Sequence, residues 1–450
     1  MSDSFSRRTL LKGASAGLGL VAAGPLMDQL DSLAVPTAAS AATTAKAGDR
    51  PYPSLPPGTE SFPQLQHIVV LMMENHSFDN HFGALRRAGV DGLTFDSDGQ
   101  AMNSSPAPGG GMIAASPAPS TCQAGYTISQ SWDASHQCWD GGRNDDFVKV
   151  CGPASMYFYT KTQLPFYFGL ASTFPLCDRY FSSVMAQTYP NRRFLMAGSA
   201  FGMVSDPLPS PTDPNPRPEG FGTVFDLLNA YGITWRDYFV DLPTAGLFPY
   251  VVEQNPGNVV PVSQFFADCA AGTLPQVSLV DPESFEGSEE NPQDAQTGAY
   301  YAYQVITAVM NSPAWESTAL ILTFDEHGGY YDHVAPVPAV PPDGIPPSVP
   351  SGDTYGDLYS WTGFRVPTVV VSPWAKPNFV SHAVYDHTSI LRTIEAKWNL
   401  PALSNRDANA NTMLQCFDFD AAAFLRPPAL PPAPLPTGAA SCIASDPAGQ

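Results

Sequence analysis

Apolar residues in this chain collect into short, nearly unbroken runs rather than an alternating pattern. Leu65 to Met73 is the longest, and others lie at Gln276 to Val280, Ala319 to Phe324 and Val366 to Val371, with Ile233 to Val240 a fifth candidate. Runs of this length suit strands buried on both faces of a parallel sheet. Between them the apolar spacing becomes helical, over Phe221 to Tyr231, Gly298 to Asn311 and Ser389 to Trp398. Alternating strands and helices predict an α/β fold, a three-layer sandwich around a mostly parallel central sheet. There is no internal repeat.

The polar and small residues punctuate this pattern. Ser6-Arg7-Arg8-Thr9-Leu10-Leu11-Lys12 precedes a weakly apolar Gly- and Ala-rich stretch, and Ala39-Ser40-Ala41 offers a small-residue cleavage site, so residues 1–41 read as a twin-arginine export signal. The rival reading is an amphipathic helix that stays attached. Residues 42–62, rich in Pro, Ala and Thr, are expected to be a tether. The folded domain is then 63–426, with insertions at 97–130 and 335–357 long enough to form a lid or rim. Residues 427–450 are a low-complexity tail, loose or wrapped on the surface. No segment after the signal is apolar for the roughly 18 residues that a membrane span needs.

Composition narrows the partners. With 21 Lys plus Arg against 42 Asp plus Glu, the formal charge is -21, and the chain has no basic surface on which a nucleic-acid backbone would be neutralised. A lipid would have to be reached through local apolar contacts or a bound cation rather than a polybasic patch. Seven cysteines remain in a chain read as exported, to the periplasm or beyond, where disulfides form. The odd count leaves at least one thiol unpaired. Cys122, Cys138 and Cys151 crowd one loop-rich region and are the first expectation for a bridge, although spacing does not fix connectivity.

Ligands of open α/β sheets gather outside the carboxyl ends of the strands. Here the first run ends in Glu74-Asn75, and the run Ala319 to Phe324 ends in Asp325-Glu326-His327. Three carboxylates and an amide oxygen brought together need a cation to offset their repulsion, and one divalent ion is the economical reading, with calcium, magnesium, manganese and zinc left open. Alternatively the acids are solvated loop residues and Asn75 is a helix cap. Thr188, in Thr188-Tyr189-Pro190-Asn191-Arg192, is a candidate nucleophile once a cation lowers its pKa, with Asn191 and a neighbouring arginine holding phosphoryl oxygens; alone, the same residues are a turn with an Asn cap. His136, set among Trp132, Trp139 and Gly141-Gly142, reads either as a general acid or phosphate donor or as a histidine satisfied beneath aromatic packing. His333 is a weaker candidate, and Asp386-His387 looks like a helix start.

In this order the segments resemble the bacterial phosphoesterase family that contains the non-haemolytic phospholipases C and the acid phosphatase A group. The matching stretches are Met73 to Gly83, His136-x-x-Trp139-x-Gly141-Gly142, Thr188-x-Pro190-Asn191-Arg192, Asp325 to Val334 and Arg365-Val366-Pro367. The resemblance implies an alkaline-phosphatase-like fold, a metal held by Glu74, Asn75, Thr188, Asp325 and Glu326, and transient phosphorylation of Thr188. Phospholipase C relatives tend to carry Thr at that position and acid phosphatase relatives Ser, so a phospholipid diester is the expected substrate, a phosphomonoester the alternative. One departure stands out. The family usually shows Glu-His-Pro where this chain has Glu290-Asn291-Pro292. Asn291 can donate a hydrogen bond to phosphate but carries no proton at ordinary pH, which leaves a non-catalytic phosphate- or headgroup-binding relative as a third reading.

Overall fold

The computed structural model describes residues 44–284, 287–349, 355, 358–436 and 442. The twin-arginine segment and its cleavage site lie outside these residues. An eight-stranded sheet forms the centre. In chain order its strands are β1 (His67–Met73), β2 (Leu176–Cys177), β3 (Trp235–Phe239), β4 (Val259–Pro261), β5 (Val277–Val280), β6 (Thr318–Phe324), β7 (Val369–Val371) and β8 (Val380–Ser381). Their order across the sheet is β8-β2-β7-β6-β1-β5-β3-β4. β6, β1, β5, β3 and β4 are mutually parallel, β7 is antiparallel to β6 and β2, and β8 is parallel to β2, so β7 alone runs against the rest.

The predicted runs became strands because both faces are covered. Ile68 to Met73 are at most 2% exposed, and all seven residues of β6 are buried. At about 1.5–3 kcal/mol for each fully buried large apolar side chain, the β1–β6 pair anchors the fold. The helices used below are α1 (Phe78–Phe82), α2 (Trp132–Trp139), α3 (Phe147–Cys151), α4 (Thr188–Ala197), α5 (Val224–Ala230), α6 (Ala295–Met310) and α7 (His387–Trp398). The last three replace the predicted helical stretches with shifts of a few residues at their ends. Asp386 opens α7 as predicted, through a reciprocal capping box with Ser389, an arrangement that contributes about 1 kcal/mol.

Two expectations change. The described part of the supposed tether is packed onto the body: Tyr52 and Phe62 are buried, Gly48 N donates to Ala402 O at 2.8 Å, and Tyr52 N donates to Asn399 Oδ1 at 3.0 Å. Cys122 is bonded to Cys442 rather than to Cys138 or Cys151. That bond also pins the tail, whose residue 433 is buried. Within the 97–130 insertion the chain forms a two-stranded hairpin, Ser104–Pro106 against Met112–Ala114.

Candidate active site

β1 and β6 pair in parallel with Met73 opposite Phe324, so the residues that follow them, Glu74 and Asp325, leave the sheet side by side. β5 flanks β1 on the other side, with Val280 opposite Leu71, and delivers Asp281. Three adjacent strands therefore present three acids at one end of the sheet. The turn after β1 is sharp: Asn75 has φ +67°, unusual for a residue with a side chain. It is held by its own amide, which donates to Asp325 Oδ1 at 3.1 Å. Gly328 closes the cradle, because a Cβ there would lie 2.0 Å from Asn75 O.

Thr188 arrives from a separate segment as the first residue of α4. Its Oγ1 donates to Asn75 Oδ1 at 3.2 Å. The structure thus links Thr188, Asn75 and Asp325, and Thr188 opens the ten-residue α4 at the end whose dipole favours an anion. Thr188 and Glu74 retain 8% exposure, whereas Asn75, Asp325 and Glu326 retain 1% or none, so solvent reaches the site at Thr188 and Glu74.

Arg192, one helical turn along α4, was expected to bind substrate. Its guanidinium instead sits among the acids: Nη2 is 3.0 Å from Glu74 Oε1, Nη1 is 3.5 Å from Asp281 Oδ1, and Nε is 3.4 Å from Asp325 Oδ2. Thr244 Oγ1 and Met72 O accept the remaining contacts. The correction has a simple cause, since buried carboxylates require a countercharge and a planar five-donor fork supplies one in place. Even so, burial pushes Glu74 up to about 8, with Arg192 opposing the shift. Burial likewise raises Asp325 above the usual carboxylate range.

Asn191 also differs from expectation. Its amide accepts from Val184 N at 3.1 Å and donates to Val184 O, Ala186 O and Gln187 O at 2.9–3.2 Å. It shapes the loop that delivers Thr188 rather than facing a phosphate. His333 lies in another network, with Nδ1 2.6 Å from Asp79, Nε2 3.1 Å from Asp91, and Arg365 bridging Asp79 and Asp332. This network staples together the segments containing Asp79, Asp332 and Arg365, which explains those motif residues without placing them on substrate. His136 Nδ1 is 2.8 Å from Trp132 O, and the ring stacks on Tyr355 with centroids 4.8 Å apart. Asn291 is half-buried and follows Glu290 on the loop after β5.

Besides Asp281, two acids at the site escaped sequence reasoning. Asp206 Oδ1 accepts from Tyr189 N at 2.7 Å, clamping the first turn of α4. Glu290 accepts from Gln130 Nε2 at 3.2 Å. Burial first, then the charge of Asp325, lifts each to about 7, and Glu290 also feels Asp206. Asp206 is separated from the Thr188 segment by a helix and carried no recognisable spacing; Glu290 stood in plain view beside Asn291.

The donor set suits a hard cation. Asn75 Oδ1, Thr188 Oγ1 and the carboxylates are all oxygens, and Glu326 Oε1 is buried with no hydrogen-bond partner while Oε2 accepts from Gly328 N at 2.8 Å. Among the described residues, the groups of three His, Cys, Asp or Glu with ligand atoms within 4.8 Å of one another are His76-His81-Glu289, Asp79-Asp332-His333 and Asp140-Asp145-Asp146. The predicted set relies instead on the amide of Asn75 and the hydroxyl of Thr188.

The sequence profile of the Phosphoesterase family matches residues 65–401. Phospholipase C B of Mycobacterium tuberculosis is 33% identical over 414 residues, covering 79% of this chain and 78% of that protein. Non-hemolytic phospholipase C of Pseudomonas aeruginosa is 31% identical over 401 residues, covering 79% of this chain and 57% of that protein. Non-specific phospholipase C4 of Arabidopsis thaliana is 30% identical over 407 residues. The chain belongs to the Phosphoesterase family and is a phospholipase C-like phosphoric ester hydrolase. A solved alkaline phosphatase superfamily structure from Vibrio parahaemolyticus matches with a TM-score of 0.39 and 10% identity, covering 86% of this chain and 79% of that one; at that score the α/β architecture rests on the sheet order above. No helix among the described residues is long and apolar enough to cross a membrane.

Proposed function

We propose that the protein is an exported, divalent-metal-dependent phospholipase C-like enzyme that cleaves phospholipid diesters through a covalent intermediate on Thr188. The observation that carries this reading is the Thr188–Asn75–Asp325 linkage at the strand ends. Glu74, Asn75, Thr188, Asp325 and Glu326 would hold the ion, which when bound lowers the pKa of a coordinated hydroxyl and offsets phosphate charge. Thr188 Oγ attacks phosphorus, the diacylglycerol oxygen leaves with a proton, and the headgroup phosphate stays esterified to Thr188. Water then cleaves the Thr–O–P bond, releasing the phosphorylated headgroup and restoring the hydroxyl. The positive end of the α4 dipole stabilises the charge that develops, with His136 the proposed proton donor to the leaving oxygen. Asn191, Arg192 and Asp206 act by position, shaping the loop, balancing the acids and fixing the helix start. The Arg-Arg segment supports passage through the twin-arginine machinery.

Assaying the full mature chain on phosphatidylcholine and on a simple aryl phosphate, with and without a chelator, tests the reading. Chelator-sensitive release of diacylglycerol supports it. Cleavage of the aryl phosphate alone would point to an acid-phosphatase type instead, and headgroup binding without turnover on either would point to a non-catalytic relative.

A further inference from the structure

Beyond the Cys122–Cys442 bond, five cysteines are buried as thiols: Cys138, Cys151, Cys177, Cys269 and Cys416. Four of them stand in two contacting pairs. Cys138 Sγ on α2 lies 3.7 Å from Cys151 Sγ at the end of α3, inside the small apolar cluster built on Phe147, Met156 and Phe364. Cys177 Sγ, closing β2, lies 3.8 Å from Cys416 Sγ at the end of the turn Met413–Cys416. Cys269 sits apart in the helix Val262–Ala271.

We propose that Cys138–Cys151 and Cys177–Cys416 are two further disulfide sites, formed under oxidising conditions, which leave Cys269 as the single thiol. The sulfurs of each pair are already in van der Waals contact, so closing to the roughly 2.05 Å of a bond needs side-chain rotation and small backbone adjustment rather than refolding. The pairs also join separate elements. The first would close the exposed Asp140 to Asp146 turn between α2 and α3, and the second would tie the sheet to the segment after α7. Three bonds and one thiol account for all seven cysteines, a count that a single bond leaves with five thiols. This inference stands apart from the reaction proposed for Thr188.

The chemistry needs an external disulfide as oxidant, here oxidised glutathione. Cys151, whose thiol is lowered by the hydrogen bond from Cys138, attacks one sulfur of the oxidant; that S–S bond breaks and one glutathione leaves and takes a proton. Cys138 then loses its proton and displaces the second glutathione from Cys151. Two protein thiols are oxidised and one oxidised glutathione becomes two reduced glutathiones. Because the sulfurs are buried in the folded chain, exchange takes place as the chain folds.

The test is to refold the reduced full chain in a glutathione buffer, unfold it in acid, alkylate without reduction, and map the peptides. Only Cys269 should be alkylated, and linked peptides should contain 138 with 151 and 177 with 416 beside 122 with 442. Five alkylated cysteines, or any of the four bonded elsewhere, overturns the proposal; a map lacking one bond overturns that pair. Protein purified from its natural host without reductant gives the same readout without a refolding step. In Cys151→Ser, Cys138 should become the second alkylated residue with 177–416 intact, and a Cys138 that stays blocked would contradict the pairing.

Discussion

Thr188 Oγ1 and Asn75 Oδ1 are joined by a 3.2 Å hydrogen bond across 113 residues of sequence. The contact exists because Asn75 is turned back at φ +67° and clamped to Asp325, while Asp206 fixes the first turn of α4. Both partners of the bond are therefore set by residues that themselves need not touch substrate.

Gly328 tests that clamp. A methyl group added there, at φ +65°, meets Asn75 O at 2.0 Å, so Asn75 must move. Gly328→Ala should lower stability by about 2 kcal/mol or more, and hydrolysis by about 100-fold, the cost of displacing a reacting group by an ångström. Urea denaturation and steady-state rates measure the two effects.

Arg192 is the countercharge for Glu74, Asp281 and Asp325. Arg192→Met leaves buried acids unpaired and should destabilise the fold by about 3–5 kcal/mol. Arg192→Lys keeps the charge but not the fork, so its denaturation midpoint should fall between those of the wild type and Arg192→Met.

Glu326 predicts an effect of opposite sign. Its Oε1 is buried without a partner, and burial followed by the charge of Asp325 holds its carboxyl well above the usual range. Glu326→Gln removes that burden, so the chelated protein should melt no lower, and by about 1 kcal/mol higher. The rise in Tm on adding calcium, magnesium, manganese or zinc should shrink or vanish. Thermal melts with and without chelator distinguish this from a simple loss of fold.

The His333 network sets a pH limit. Burial lowers the imidazole, but the hydrogen bond and charge of Asp79 and the charge of Asp332 outweigh it and raise His333 to about 9. A folded-state value above the ordinary 6.5 means a contribution fully present below about pH 6.5 and lost as pH rises through 9, on the order of 2 kcal/mol. Tm should fall between pH 7 and 10, and His333→Gln should flatten that limb while leaving the site around Thr188 in place.

The parallel sheet and the acids ending β1 and β6 were legible because continuous apolar runs mark strands buried on both faces, and whatever follows such strands stands together in space. Asn191, Arg192 and His333 were recognised as important, but their contacts with Val184, the acids and Asp79 were not legible, since a motif records residue type and spacing, not the direction in which a side chain is spent. Asp281, directly after the run Gln276 to Val280, stood where the same rule would have found it, whereas Asp206 was missed because its role comes from packing against α4, a relation that no local pattern carries. The same limit applied to the Cys122–Cys442 pairing, 320 residues apart, and to the segment around Tyr52, whose Pro-rich composition concealed its contacts with Asn399.

The most direct measurement is to mix the metal-loaded full chain with phosphatidylcholine, quench in acid within the first turnovers, and look for a headgroup phosphate ester by peptide mass spectrometry. The adduct should lie on the peptide carrying Thr188 and should disappear, with diacylglycerol release, in Thr188→Ala. Undiminished release by Thr188→Ala, or an adduct on another residue, would contradict the assignment of Thr188 as the nucleophile.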